Sequence, residues 1–128
     1  MNKTIFCTGI FFGALSVVLG AFGAHGLKNV MSLSELDTFN TGVTYQMYHA
    51  LLLLVLGSVQ GIPEKAKKQV YYLIVSGIIF FSFSIYLLAT NSLTGFNFKT
   101  IGFITPIGGV LMILGWLLLG YQAYRRLK

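Results

Sequence analysis

Four stretches of this chain, Ile5 to Ala24, Val43 to Val59, Val70 to Ala89 and Ile101 to Tyr121, contain no Asp, Glu, Lys or Arg. Crossing roughly 30 Å of hydrocarbon takes about 20 apolar residues at about 1.5 Å of helix rise each. The second stretch is the shortest, and it gains length if Thr38 to Gly42 carries its helix outward into the headgroup region. Backbone polar groups in hydrocarbon have no water to bond, so each span must be a helix that satisfies its own N–H and C=O groups. The expected fold is all-α: an integral membrane bundle of four transmembrane helices, with 1–128 forming a single transmembrane domain.

Composition agrees with that reading. Hydrophobic residues make up 55% of the chain and charged residues 9%, with a mean hydropathy of +0.78, whereas soluble domains carry about 25% charged residues. Lys3 and Ala21-Phe22-Gly23 offer the outline of a signal peptide, but the apolar run between them is longer than the usual signal core, so the first stretch reads as a span. The lone cysteine, Cys7, has no internal disulfide partner and reads as a small apolar residue near the inner face.

The nine Lys and Arg residues orient the bundle. With four spans, both termini and the middle loop share a side, which carries Lys3, Lys65, Lys67, Lys68, Arg125, Arg126 and Lys128. The other side carries only Lys28 and Lys99, seven against two. The excess of Lys and Arg predicts cytoplasmic termini, N-in and C-in, in contact with the lipids of the plasma membrane. The formal charge of +6 lies in short juxtamembrane clusters at helix ends, which is no footprint for nucleic acid.

The connections follow. "GIPEKAKK", Gly61 to Lys68, is a short turn that joins spans two and three as an antiparallel hairpin. "TNSLTGFNFKT", Thr90 to Thr100, reads as an outer loop at headgroup level. In the outer segment His25 to Thr41, "SELD" predicts a helix start with Ser34 as cap and Asp37 as the reciprocal partner. Leu36, Phe39 and Val43 then follow at helical spacing, a short amphipathic outer segment before helix 2. Pro106 predicts a kink or local opening in the fourth span.

Glycines punctuate these helices. Gly9 and Gly13 form a GxxxG pair, Gly20, Gly23 and Gly26 follow, and Gly42 opens the second span. Small residues let helix backbones approach closely where lipid gives no hydrophobic drive, so these six are the candidate packing residues. The fourth span carries Gly102, Gly108, Gly109 and Gly115 as well. Tyr71, Tyr72, Trp116, Tyr121 and Tyr124, toward the helix ends, suit aromatic belts.

The candidate ligand-binding residues are His49, His25, Gln46 and Tyr45. In "TGVTYQMYHALLLL", Thr41 to Leu54, helical spacing puts Thr38, Gly42, Tyr45 and His49 on one face, with Gln46 one turn before His49. His49 lies about 10 Å along the helix from Gly42, where a polar group needs a partner and intramembrane titratable groups point to function. Its structural alternative is a neutral imidazole satisfied by Gln46, a tyrosine hydroxyl or a neighbouring helix. A metal site from His25, His49 and Glu35 or Asp37 is chemically allowed but matches no ligand spacing, so no metal or cofactor is expected. No span carries a carboxylate, and no Ser-His-Asp order, Cys-His order or phosphate loop stands out, so no enzyme is expected.

The stretches "GAFGAHGLK", Gly20 to Lys28, "FNTGVTYQMYHALLLL", Phe39 to Leu54, and "PIGGVLMILGW", Pro106 to Trp116, resemble a family of small bacterial membrane proteins of the YwdK and YgdD type. That family is a domain of unknown function with a related eukaryotic transmembrane protein. The resemblance implies a four-helix protein of the bacterial plasma membrane, marks Gly23, His25, Gly26, Gly42, Tyr45, Gln46 and His49 as its shared positions, and implies no activity. The expected function is structural or interactive, with a polar outer-half cluster that contacts lipid, a partner membrane protein or another copy of the chain. The alternatives are a binder or carrier of a small apolar or metal ligand at His49, Tyr45 and Gln46, and an oligomeric channel.

Overall fold

The computed structural model describes residues 1–94 and 102–128, which hold helices and no strand. They are α1 (Lys3–His25), α2 (Leu33–Ser58), α3 (Glu64–Ile78), a π-helical turn (Ile79–Phe83), α4 (Ser84–Ala89), a 3-10 turn (Asn91–Leu93) and α5 (Ile104–Arg126). Lys99 and Ile101, expected as an outer basic residue and as the start of the fourth span, lie outside the described residues. So do most residues of the expected Thr90 to Thr100 loop.

Among the described residues, three helices are long and apolar enough to cross a membrane: Lys3–His25, the continuous run Glu64–Ala89, and Ile104–Arg126. The 26 residues of α2 are long enough, but its first half is too polar for it to be among them. The exterior is apolar: Phe11, Val17 and Phe22 on α1, Leu51 and Val55 on α2, and Val110, Ile113 and Leu117 on α5 are all exposed. A soluble monomer seldom shows apolar surface on that scale.

Helix α2 starts earlier than the pattern of apolar residues predicts. The expected amphipathic segment is its first turns, continuous with the rest. The cap is Ser32, with Glu35 as reciprocal partner, in place of the expected Ser34 and Asp37. Ser32 Oγ accepts the Glu35 N–H at 3.1 Å, and Glu35 Oε1 accepts the Ser32 N–H at 2.9 Å. Both pairs have the three-residue spacing of a capping box, but glutamate has one more methylene than aspartate and reaches back across the turn.

Pro106 also differs from expectation. It is the third residue of α5, where the first-turn N–H groups have no intrahelical partner, so its missing N–H breaks no bond and opens no helix. The departure from regular helix lies instead at the π turn of the α3–α4 run. There the Ser84 hydroxyl donates to the Phe80 and Phe81 carbonyls, at 2.5 and 2.9 Å, and meets Thr105 Oγ1 at 2.6 Å.

The helices form two close pairs, α1 with α2 and the α3–α4 run with α5, which meet along α2. Glycine decides how near each pair approaches. A Cβ on Gly9 would lie 2.8 Å from the Ala50 carbonyl oxygen, and one on Gly23 would lie 2.9 Å from the Phe39 ring. Gly13 and Gly20 face Ala50 and Val43 at ordinary contact distance, so all four turn toward α2. Gly26 departs from the expected role: its Cβ would strike Phe22, one turn back on its own helix. In the second pair the close contacts are Gly77 against Met112, Gly108 against the backbone of Phe80 and Phe81, and Gly115 against Ile74.

The end that holds both termini is tied by polar contacts. The Asn2 N–H donates to the Gly57 carbonyl at 2.8 Å, and Asn2 Nδ2 donates to Glu64 Oε2 at 2.7 Å. Lys67, 2% exposed, donates through Nζ to the Val59 carbonyl at 2.5 Å, at the C-terminus of α2 where the last carbonyls lack helical partners. Between α2 and α3, Gly61 adopts φ +91, a left-handed conformation that glycine takes without a Cβ penalty.

Candidate functional site

Two polar side chains of α2, Gln46 and His49, face into the bundle, and Gln46 has no exposed surface. Its Nε2 donates to the Phe12 carbonyl of α1 at 2.9 Å, and its Oε1 accepts the Tyr86 hydroxyl of α4 at 2.6 Å. A primary amide has a donor end and an acceptor end, and here each end is bound to a different helix. One turn earlier, Gly42 makes room for the Tyr86 ring, which a Cβ would meet at 2.7 Å. The Ser82 hydroxyl of the π turn donates to the Gly42 carbonyl at 2.8 Å.

His49 is 4% exposed and engaged at both ring nitrogens. Trp116 Nε1 on α5 donates to His49 Nε2 at 3.0 Å, and His49 Nδ1 lies 2.7 Å from the Tyr45 carbonyl oxygen. An indole nitrogen only donates, so Nε2 must be the acceptor and Nδ1 carries the proton that bonds the Tyr45 carbonyl. This assignment follows from the hydrogen-bond partners and describes a neutral ring. The imidazole and indole rings meet edge to face at 6.0 Å between centroids.

Tyr45 is half-exposed and takes no part in these bonds through its hydroxyl. Its ring stacks toward His49 at 6.4 Å and meets Phe81 edge-on at 5.3 Å. Between these rings and α5 lies a pocket of about 290 Å³, lined by Tyr45, His49, Phe81, Met112, Ile113 and Trp116, with Gly109 at its wall. The lining is apolar apart from the histidine, whose nitrogens are already used.

His25 does not join this cluster. It ends α1 in an exposed position. Its neighbour Gly23 packs on Phe39, ten residues before His49 on α2, which places the two histidines about 15 Å apart along the helix axis. Among the described residues, no three His, Cys, Asp or Glu side chains come together to hold a metal ion. Glu35 serves the cap, and its Oε2 accepts the Ser92 hydroxyl at 2.6 Å. Those bonds, the Ser92 hydroxyl first and the Ser32 backbone next, hold the Glu35 carboxyl below its ordinary value.

Two partners in the cluster were not assigned from sequence. Trp116 reads as a belt residue and Tyr86 attracts no notice, because the relative rotation of α2, α4 and α5 is set by packing that the sequence does not display. One signal was available: Trp116 is the sole tryptophan and His49 the sole histidine well inside an expected span, and each carries a polar atom that would have to be satisfied at that depth.

Residues 19–109 match the family described as a protein of unknown function, DUF423. The chain belongs to that family. The DUF423 match begins just ahead of "GAFGAHGL", includes Gln46, His49 and Tyr86, and ends before Trp116. Similar proteins include a UPF0382 membrane protein of Staphylococcus saprophyticus, 46% identical over 86% of this chain and 91% of its own length. Another, from Staphylococcus aureus, is 44% identical over 86% of this chain and 89% of its own. A third, from Staphylococcus haemolyticus, is 38% identical over 96% of this chain and 97% of its own. No solved structure matches. This DUF423 chain is therefore a membrane protein of unknown function with bacterial relatives and apolar helices capable of spanning a bilayer.

Proposed function

We propose that this chain is a four-span structural or interaction protein of the bacterial plasma membrane with both termini in the cytoplasm, and that its Gln46–His49 cluster locks two helix pairs together. The observation that carries the reading is Gln46, fully buried, with its donor bound to α1 and its acceptor bound to α4. The same geometry supports α2 as the fourth span. Its two deepest polar groups, Gln46 and His49, turn inward and are bonded there, while Ser34, Asp37, Thr38, Asn40, Thr41 and Thr44 nearer its start are exposed, so the residue hydropathies of the stretch from Gln46 onward understate how apolar its outer surface is. Tyr48, Leu51 and Val55 form that surface.

The His49 bonds support a structural role over a catalytic one, since neither nitrogen is free to move a proton. The resemblance to the YwdK and YgdD type agrees with the four-helix reading, and the surplus of Lys and Arg at the end holding both termini supports the orientation. Reporter fusions test it: a reporter active only in the cytoplasm should be active at the C-terminus and in the Gly61–Lys68 turn. Activity of an exported reporter at either place would refute the orientation.

One observation favours a second reading, a binder of a small apolar ligand. The pocket beside His49 holds about 290 Å³ beside aromatic side chains, at the lower edge of the size of small-molecule sites. Native mass spectrometry of gently extracted protein should then show a retained apolar molecule that Ile113→Trp displaces. A clean apo mass would remove the reading.

A further inference from the structure

At the end of the bundle holding both termini, a second pocket opens between the start of α3 and the end of α5. It measures about 280 Å³ and is lined by Pro63, Lys65, Ala66, Gln69, Gln122 and Arg126. We propose that this pocket binds the phosphate of an anionic phospholipid headgroup. The assignment rests on the membrane reading above, and it concerns a different set of residues from the His49 cluster.

The chemistry of the lining points to an anion. It brings together one ammonium, one guanidinium and two primary amides, and none of these four side chains makes a hydrogen bond or ion pair among the described residues. Their neighbours differ. Arg125 bonds the Tyr121 hydroxyl at 2.9 Å and lies over that ring. Lys67 is buried on the Val59 carbonyl.

The sole side-chain carboxylate at this end, Glu64, is engaged elsewhere. It accepts from Asn2 at 2.7 Å and lies 3.9 Å from Lys67 Nζ. The pocket therefore keeps two positive charges that no carboxylate side chain pairs with among the described residues, with a planar guanidinium suited to two phosphate oxygens.

Its position selects a lipid as the source of the phosphate. Tyr72, Tyr121 and Tyr124, on the same ends of α3 and α5, are exposed, as residues at headgroup depth are. Basic pockets between membrane helices on the cytoplasmic side match anionic headgroups, which are concentrated there.

The test is native mass spectrometry of the full chain in detergent, titrated with phosphatidylglycerol or with phosphatidylcholine. The wild type should retain phosphatidylglycerol at least about tenfold better, the K65A/R126A variant should lose that preference, and K68A/R125A, with the same charge change, should keep it. Q69E/Q122E, which leaves both cations in place, should also lose it, so that the result does not hang on one variant. Equal retention of the two lipids by the wild type, or an equal loss in K68A/R125A, would overturn the proposal. Inorganic phosphate added at the lipid concentration should leave the lipid bound; displacement would assign the pocket to free phosphate and overturn the lipid assignment. The titration is indifferent to orientation, so a failed reporter fusion and a failed titration refute different claims.

Discussion

Taking an amide or imidazole out of water without a partner costs roughly 2–7 kcal/mol, so the state of Gln46 and His49 decides what this half of the molecule can do. Each of their polar side-chain atoms has a partner, and among the described residues no buried side-chain nitrogen or oxygen lacks a hydrogen bond. The Trp116 bond requires one particular tautomer of His49. Nitrogen NMR of imidazole-labelled protein near neutral pH should show Nδ1 protonated and Nε2 bare; the opposite tautomer or an imidazolium would break the Trp116 assignment. Glu35 predicts a pH effect. Its carboxyl is held below the ordinary value, so its stabilising bonds are complete above the ordinary glutamate range and are lost as pH falls through the lower, folded-state value. Removing the larger cause with Ser92→Ala should shift the onset of faster amide exchange in the first turn of α2 to higher pH, and an unchanged onset would contradict the contact. His49 was legible as a residue in need of a partner, because its depth follows from the chain alone; the partner itself was not.

Among the helices, close packing depends on whether a glycine faces backbone or open space. Gly108 lies against the backbone of Phe80 and Phe81, whereas Gly120 has nothing within 4 Å of an added Cβ. Gly108→Val should therefore lower stability in detergent by about 1–3 kcal/mol or more, while Gly120→Ala should leave the melting temperature nearly unchanged. Equal effects would show that the α3–α5 seam is looser than described. The α1 glycines were legible because they recur at three- and four-residue spacing, which puts them on one helix face. Gly77 and Gly57 were not, since Gly77 stands alone in α3 and Gly57 lies far along α2 from Gly42, and each gains meaning only from the atoms opposite. The capping error has a similar origin: Ser32 and Ser34 both precede an acid by three residues, and only side-chain reach separates them. Pro106 was misread because its effect depends on whether it falls inside a helix or in the first turn.

Across the whole molecule, two glycine-packed pairs are joined by hydrogen bonds that radiate from α2: Gln46 to Tyr86, His49 to Trp116, and the Gly42 carbonyl to Ser82. The all-helical character was legible because length and apolar content constrain a membrane chain so strongly. The pairing was not, since hydropathy carries no information about which helix lies beside which. A double-mutant cycle tests the central claim, that bonds from α2 hold the two pairs together. Gln46→Leu, Tyr86→Phe and the double variant would be unfolded in the same detergent. The account predicts a coupling of about 0.6 kcal/mol and at most about 1.7 kcal/mol, the average and maximum found by such cycles for interhelical hydrogen bonds in a membrane protein. Additive losses, with no coupling between Gln46 and Tyr86, would contradict it.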